Sequence, residues 1–182
     1  MLLLKQWNGA GASLVLIALS LAMAMRCSIL DANVPTHPSD QDLEGNLRQH
    51  EAEFESLIRM YKIDSRIIRI ADDFTWLDTN VNWPRPESEI GFSRERWDEY
   101  RHVFKVLGLK KGLLKPEDTD TIYLIASSAG SVSSGSAKGY AYSVKPLSPL
   151  SDSLDHISPE LRSQRSIYKK LGDNWYLFYQ SD

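Results

Sequence analysis

Apolar residues recur at helical spacing in the first part of the chain. One face of residues 41–62 is formed by residues three, four or seven positions apart, namely Leu43, Leu47, His50, Phe54, Leu57, Ile58 and Tyr61. This spacing predicts an amphipathic helix. Ser39 or Asp40 stands in front of it and can cap its first turn by accepting backbone N–H bonds.

A second helix is predicted over residues 94–107. Its apolar face contains Trp97, Tyr100, Phe104 and Leu107. Ser93 stands at the N-cap position, and Gly108 follows where a left-handed residue commonly ends a helix. His102 falls opposite the apolar face, so we expect its ring to point to water.

Short stretches rich in β-branched and aromatic residues predict strands at residues 66–71, 121–127, 132–143, 165–171 and 175–180. Turns at Ala129-Gly130 and at residues 172–174 predict two hairpins. The last strand is apolar on both faces, so it should be a central strand or lie under a helix. The pattern predicts an α+β fold with two helices packed on an antiparallel sheet of four to five strands. Residues 145–159 contain three prolines and are expected to form a surface excursion.

The N-terminus has the pattern of an export signal. Residues 13–25 carry no charge, Lys5 precedes them and Arg26 follows. The run is shorter than the roughly 20 apolar residues that span a bilayer. Small residues permit cleavage after Ala24, whereas Cys27 is a candidate lipid-attachment residue.

The predicted domains are a signal peptide or anchor at residues 1–24, a tether at 25–40 and one α+β domain at 41–182. Three states of the N-terminus stay open: lipidated at Cys27, cleaved and free, or retained as an anchor. Each state places the domain outside the cytoplasm, in the periplasm or tethered to a membrane.

Composition narrows the function classes. The 182 residues are 42% hydrophobic and 25% charged, which suffices for one core, and the net charge is −3. No Lys/Arg-rich run is present to neutralise phosphates, which argues against nucleic-acid binding. The single cysteine forms no intramolecular disulfide, and the four histidines lack metal-ligand spacing. We therefore expect no metal, and no motif indicates a cofactor.

Candidate catalytic residues are few and weakly patterned. Ser136 with Lys138, Ser143 with Lys145 and Ser166 with Lys169 have the loose spacing of a Ser–Lys hydrolase, which needs a neutral lysine as base. The acidic pairs Asp72-Asp73 and Asp118-x-Asp120 could act as acid and base, although loop carboxylates usually form turns. No catalytic residue is assigned from these patterns.

Two regions carry candidate binding residues. Trp83 and Arg85 stand among prolines that stiffen a loop, and Trp and Arg are common at binding surfaces. Trp83 as a plug at the edge of the core is the competing interpretation. The predicted hairpin of small residues, in which a ligand could approach the backbone closely, adds Lys138, Tyr140 and Tyr142.

Three stretches resemble an uncharacterised group of small bacterial envelope proteins with a signal-peptide or lipoprotein N-terminus. They are WDEYRHVFKVLGL from Trp97, GSAKGYAYS from Gly135 and NWYLFY from Asn174. The resemblance implies no catalytic residues, because no activity is assigned to that group. Arg26 departs from the clean lipidation site of those proteins.

The expected function is that of an exported, non-catalytic accessory module of the envelope that binds a ligand or a partner. The partner would be another envelope protein or a small ligand, with a membrane contact through the N-terminal anchor or lipid. The alternative is a small secreted hydrolase that uses the Ser-rich hairpin or the acidic loops. A strongly shifted pKa on Lys138, Asp72 or Asp120 inside a pocket would favour the enzyme, whereas a shallow aromatic groove would favour binding.

Overall fold

The computed structural model describes residues 37–73, 75–76, 91, 93–131 and 134–181. Cys27, Trp83 and Arg85 lie outside these residues, as does the predicted export signal. The compact unit begins at His37. Within the described part of the chain, no helix is long and apolar enough to cross a membrane.

The first predicted helix is divided in two. Helix α1 spans Asp40–Gln49 and helix α2 spans Glu51–Ile63. His50 between them has φ −121° and ψ 32°, outside the helical region, so the helix is interrupted there. Ser39 is the N-cap of α1, where its hydroxyl accepts the N–H of Asp42 at 3.1 Å. Both helices still bury the apolar residues of the predicted face, whereas His50 is half-buried. The buried residues are Leu43, Leu47, Phe54, Leu57, Ile58 and Tyr61.

Helix α3 spans Arg94–Leu107 and begins and ends as predicted. Ser93 is its N-cap, and Gly108 ends it with φ 66°, a left-handed value that glycine adopts without strain. Tyr100, Phe104 and Leu107 are buried, and His102 is exposed as expected.

Seven strands form one sheet among the described residues. They are β1 Arg69–Ile70, β2 Thr75–Trp76, β3 Leu113–Leu114, β4 Ile122–Ser131, β5 Ser134–Tyr142, β6 Ser166–Lys170 and β7 Trp175–Ser181. The order is β2-β1-β3-β4-β5-β7-β6, and all strand pairs are antiparallel. The α+β class and the antiparallel pairing are confirmed.

The sequence predicted two helices and four to five strands, and the structure contains more of both. The break at His50 gives three α-helices among the described residues. Strands β2 and β3 have two residues each, too few for an alternating pattern to show in the sequence. The predicted turn at Ala129-Gly130 is also displaced, because both residues lie inside β4 and pair with Ser136 and Gly135.

A β-bulge in β4 decides which side chains face the helices. The register shifts between Ile125 and Ser127, so that Ser127 rather than Ala126 stands opposite Lys138. The bulge brings β4 so close to β5 that a Cβ at position 139 would overlap the carbonyl oxygen of Leu124. Glycine is therefore required at this position.

Strand β7 lies between β5 and β6, as its apolar faces predict. Leu177 packs in the main core beneath the helices, while Tyr176 and Phe178 pack in a second cluster. The proline-rich segment covers the free edge of β6: the Ser151 N–H donates to the Tyr168 carbonyl at 2.8 Å. It also buries Leu154, so it contributes to the core as well as to the surface.

Candidate functional site

Lys138 lies in the interior, in contact with two carboxylates. Its side chain is 2% exposed, and its Nζ lies 2.8 Å from Asp40 Oδ1 and 2.5 Å from Asp155 Oδ1. Lys169 joins from β6, 3.4 Å from Asp40 Oδ2 and 2.8 Å from Glu44 Oε1. We call these five residues the Lys138 cluster. Charges this deeply buried are tolerated only when they are paired.

Asp40 is the centre of the cluster and the first residue of α1. Its Oδ2 accepts the N–H of Leu154 at 2.8 Å, and its own N–H donates to Asp155 Oδ2 at 2.9 Å. Burial opposes ionisation, but the hydrogen bonds from Lys138 and Leu154 and the charges of Lys138 and Lys169 outweigh it, so the pKa of Asp40 lies below its ordinary value. Asp40 therefore joins the start of the domain to the sheet as a carboxylate.

His37 is held between two serines next to this cluster. Its Nδ1 lies 2.7 Å from Ser127 Oγ, and its Nε2 lies 2.8 Å from Ser136 Oγ. Burial and then the charge of Lys138 lower the pKa of His37. Its ring also meets the Tyr179 ring edge to face, with 5.7 Å between the centroids. The sequence placed His37 in the tether, and nothing local indicates these distant partners.

The hydrogen bond between Ser136 and His37 has the form of a nucleophile–base pair, but its surroundings oppose that chemistry. A histidine that takes a proton from serine must be stabilised as the imidazolium, as the aspartate does in a Ser-His-Asp triad. Here the second ring nitrogen contacts the Ser127 hydroxyl, and the nearby charge is the Lys138 ammonium. The imidazolium is thus destabilised.

The three candidate Ser–Lys pairs share one feature: each lysine contacts a carboxylate. Lys138 contacts Asp40 and Asp155, Lys169 contacts Glu44, and Lys145 Nζ donates to Asp120 Oδ2 at 2.7 Å. A lysine in such an ion pair is held as the ammonium cation and offers no lone pair to a serine.

Among the acidic loop residues, Asp120 has a pKa below its ordinary value. Asp120 is exposed, and its hydrogen bond with Lys145 and the charge of that lysine lower its pKa. Asp72 is exposed at the rim of a depression beside α3. Among the described residues, no group of three or more His, Cys, Asp or Glu side chains could hold a metal ion.

The hairpin residues predicted to bind a ligand mostly face the core. Lys138 is 2% exposed and Tyr140 is fully buried. The Tyr140 hydroxyl donates to the Leu43 carbonyl at 3.0 Å, and burial raises the pKa of Tyr140 to about 12. Tyr142 is half-buried and packs edge to face on Trp175, with 5.1 Å between the centroids. Lys138 and Tyr140 therefore expose almost no surface to a ligand from solvent.

An open groove lies where the α1–α2 segment meets the β6–β7 turn. Its volume is about 320 Å³, within the range of roughly 300 to 1,000 Å³ that is usual for small-molecule sites. We call it the Trp175 groove. It is lined by Leu47, Arg48, Glu51, Glu55, Leu171, Gly172, Asp173, Asn174 and Trp175.

Trp175 is held rigidly in the wall of this groove. Its indole Nε1 donates to Glu55 Oε1 at 3.0 Å. Its ring packs edge to face on Phe54, with centroids 5.6 Å apart, and on Tyr142. The hairpin turn is closed by the Leu171 N–H, which donates to the Trp175 carbonyl at 3.0 Å. The half-buried indole is therefore pre-organised before any ligand arrives.

The groove carries more negative than positive charge. Glu51, Glu55 and Asp173 contribute three carboxylates, and Arg48 contributes one guanidinium, which leaves a net charge of −2 among the described lining residues. Arg48 lies 3.8 Å from Glu44. Within the described part of the chain, Glu51 and Asp173 have no ion-pair partner.

Two other depressions have a different character. One has a volume of about 590 Å³ and lies beside the β4–β5 hairpin; the charged residues of its lining, Lys111 and Arg165, are both basic. The other, of about 500 Å³ beside α3, has the buried Phe104 in its lining. Neither presents a half-buried aromatic ring among its described lining residues. The Trp175 groove is thus the better candidate for a binding site.

The sequence contained part of the signal for this groove. The turn at residues 172–174 and the aromatic run from Trp175 were both predicted, but the pairing of Trp175 with Glu55 was not. Comparisons of the chain with protein-family models, curated proteins and solved structures find no match.

Proposed function

We propose that this protein is an exported, non-catalytic module of the bacterial cell envelope, free in the periplasm or tethered through its N-terminal segment, and that it binds a ligand or partner in the Trp175 groove. The observation that carries the proposal is the half-buried Trp175, held by Glu55, Phe54 and Tyr142 at the wall of an open groove. Aromatic walls with a few placed polar groups are typical of ligand sites.

The ion pairs of the lysines support binding over catalysis. Lys138, Lys145 and Lys169 each contact a carboxylate, so none is prepared to act as a base. The uncharged run at residues 13–25 supports export. The Lys138 cluster joins the start of α1 to the sheet, which suits a domain that is attached at its N-terminus.

The proposal can be tested by nuclear magnetic resonance on the full chain. A panel of amino acids, short peptides, sugars and lipid headgroups is titrated into labelled protein. We expect at least one compound to shift the amide signals of Gly172 and Asn174 and the indole signal of Trp175. If compounds bind only elsewhere, or none binds, the groove is not the binding site.

The hydrolase alternative rests on a single observation, the 2.8 Å contact between His37 Nε2 and Ser136 Oγ. A panel of ester and amide substrates tests it with the variant Ser136→Ala and the control Ser128→Ala, which changes an exposed serine of the same hairpin. If the purified protein has hydrolytic activity, we expect Ser136→Ala to retain it. A loss of about a thousandfold in kcat confined to Ser136→Ala would establish the enzyme instead.

A further inference from the structure

We infer that the Trp175 groove selects a ligand that carries an ammonium group. This inference rests on the proposed function and adds the chemical class of the ligand. Three observations carry it: the excess of carboxylates, their lack of cationic partners and the fixed aromatic wall.

The carboxylates come from two separate elements. Glu51 and Glu55 are one helical turn apart on α2, so they lie on the same face of that helix. Asp173 comes from the β6–β7 turn on the other side of the groove. A cation in the groove would therefore meet negative charge from both walls.

These carboxylates differ from the described carboxylates that are paired with lysines. Asp40, Asp155 and Asp120 each have a lysine Nζ within 2.8 Å. Glu51 and Asp173, within the described residues, have no such partner. A cationic ligand would supply the missing counter-charge, whereas an anionic ligand would add to the repulsion.

Trp175 and Leu171 restrict the cation to one with an apolar stem. The indole N–H is already bonded to Glu55, so the exposed part of the half-buried ring offers apolar and π surface. Ammonium groups are attracted to aromatic faces, and an alkyl stem packs on the same surface. The volume of about 320 Å³ suits a lysine-like side chain or a small amine.

The test uses two probes of nearly the same shape. The amide of Nα-acetyllysine carries the ammonium, and the amide of Nα-acetylnorleucine replaces it with a methyl group. We expect the lysine probe to shift the signals of Gly172, Asn174 and the Trp175 indole with a dissociation constant of about 1 mM, and the norleucine probe to bind several-fold more weakly. Added salt should weaken the binding of the lysine probe but not that of the norleucine probe.

Variants assign the effect to the groove. Glu51→Gln and Asp173→Asn should each weaken the lysine probe by roughly two- to fivefold. Arg48→Gln should strengthen it, because it removes the positive charge from the lining. Glu53→Gln is the matched control: Glu53 lies on the same helix, is exposed and does not line the groove.

The outcomes separate the inference from the proposed function. Equal binding of both probes, or an unchanged affinity in Glu51→Gln and Asp173→Asn, would overturn the ammonium class. If neutral or anionic compounds of the wider panel then shift the groove signals, the binding function stands with another ligand. If no compound shifts them, both the inference and the proposed function fail.

Discussion

The Lys138 cluster and the Trp175 groove both contain charged side chains of the α1–α2 segment. The charges are paired in the cluster, whereas Glu51 and Asp173 in the groove are not paired with any described residue. In the cluster, Lys138 is 2% exposed and Asp40 is 6% exposed, and each charge has an opposite charge within 3.4 Å. In the groove, Glu51 and Asp173 are exposed and have no ion-pair partner among the described residues. Water stabilises the exposed carboxylates, whereas the buried ones depend on their partners.

Burial and pairing thus distinguish charged residues with a structural role from charged residues that are free to bind a ligand. A buried, paired lysine is typical of a part that holds the fold together, since loss of one partner leaves an uncompensated charge. Exposed carboxylates beside a rigid tryptophan can exchange water for a ligand at little cost. Four predictions test this comparison.

The largest effect should follow Lys138→Met. The change preserves the shape of the side chain but leaves Asp40 and Asp155 without their shared cation, so we expect a loss of about 3–5 kcal/mol in the free energy of unfolding. Urea denaturation measures it. Lys145→Met, which breaks the exposed pair with Asp120, is the control and should change stability far less. Equal effects of the two variants would show that the buried cluster is not structural.

Trp175→Phe should have a moderate effect. Phenylalanine keeps most of the packing on Phe54 and Tyr142 but cannot donate to Glu55 Oε1, so about 1 kcal/mol of stability should be lost. Thermal unfolding measures it, and binding of the lysine probe should weaken as well. Weaker binding without any loss of stability would mean that the bond to Glu55 contributes nothing to the fold.

His37 should make stability depend on pH. Its pKa is lowered in the folded protein, so the unfolded chain takes up a proton first as the pH falls through the ordinary value of 6.5. Neutral His37 therefore contributes its full stabilisation above pH 6.5. This contribution is lost as the pH falls from 6.5 toward the pKa of His37 in the folded protein. We expect the fall in stability from pH 7 to 5 to be smaller in His37→Gln than in the wild type, while the exposed control His102→Gln keeps the wild-type slope. An unchanged slope in His37→Gln would contradict the lowered pKa of the half-buried ring.

The smallest effect on stability should come from Glu51→Gln. The side chain is exposed and unpaired within the described residues, so the free energy of unfolding should stay nearly unchanged while binding of the lysine probe weakens. Denaturation and titration on the same sample separate the two quantities. A clear loss of stability would place Glu51 in a structural network and weaken the distinction between the two regions.

The sequence by itself determined the elements whose signals are local. Helix α3 could be predicted from one end to the other because Ser93, the apolar face and Gly108 lie within one short segment. The interior place of β7 followed from the apolar residues on both of its faces. The two-residue strands β2 and β3 could not be predicted, because their pairing is set by neighbouring strands rather than by a pattern of their own.

Only the tertiary structure decided the roles of the charged and polar residues. The sequence pattern does not tell whether Lys138 faces solvent or the core. Its burial depends on Asp40, near the start of the domain, and on Asp155, which lies 17 residues after Lys138. His37 meets Ser136 across 99 residues, and Trp175 meets Glu55 across 120 residues. Burial and electrostatics act between residues that are close in space, so local patterns predict the elements of this protein but not the partners of its charges.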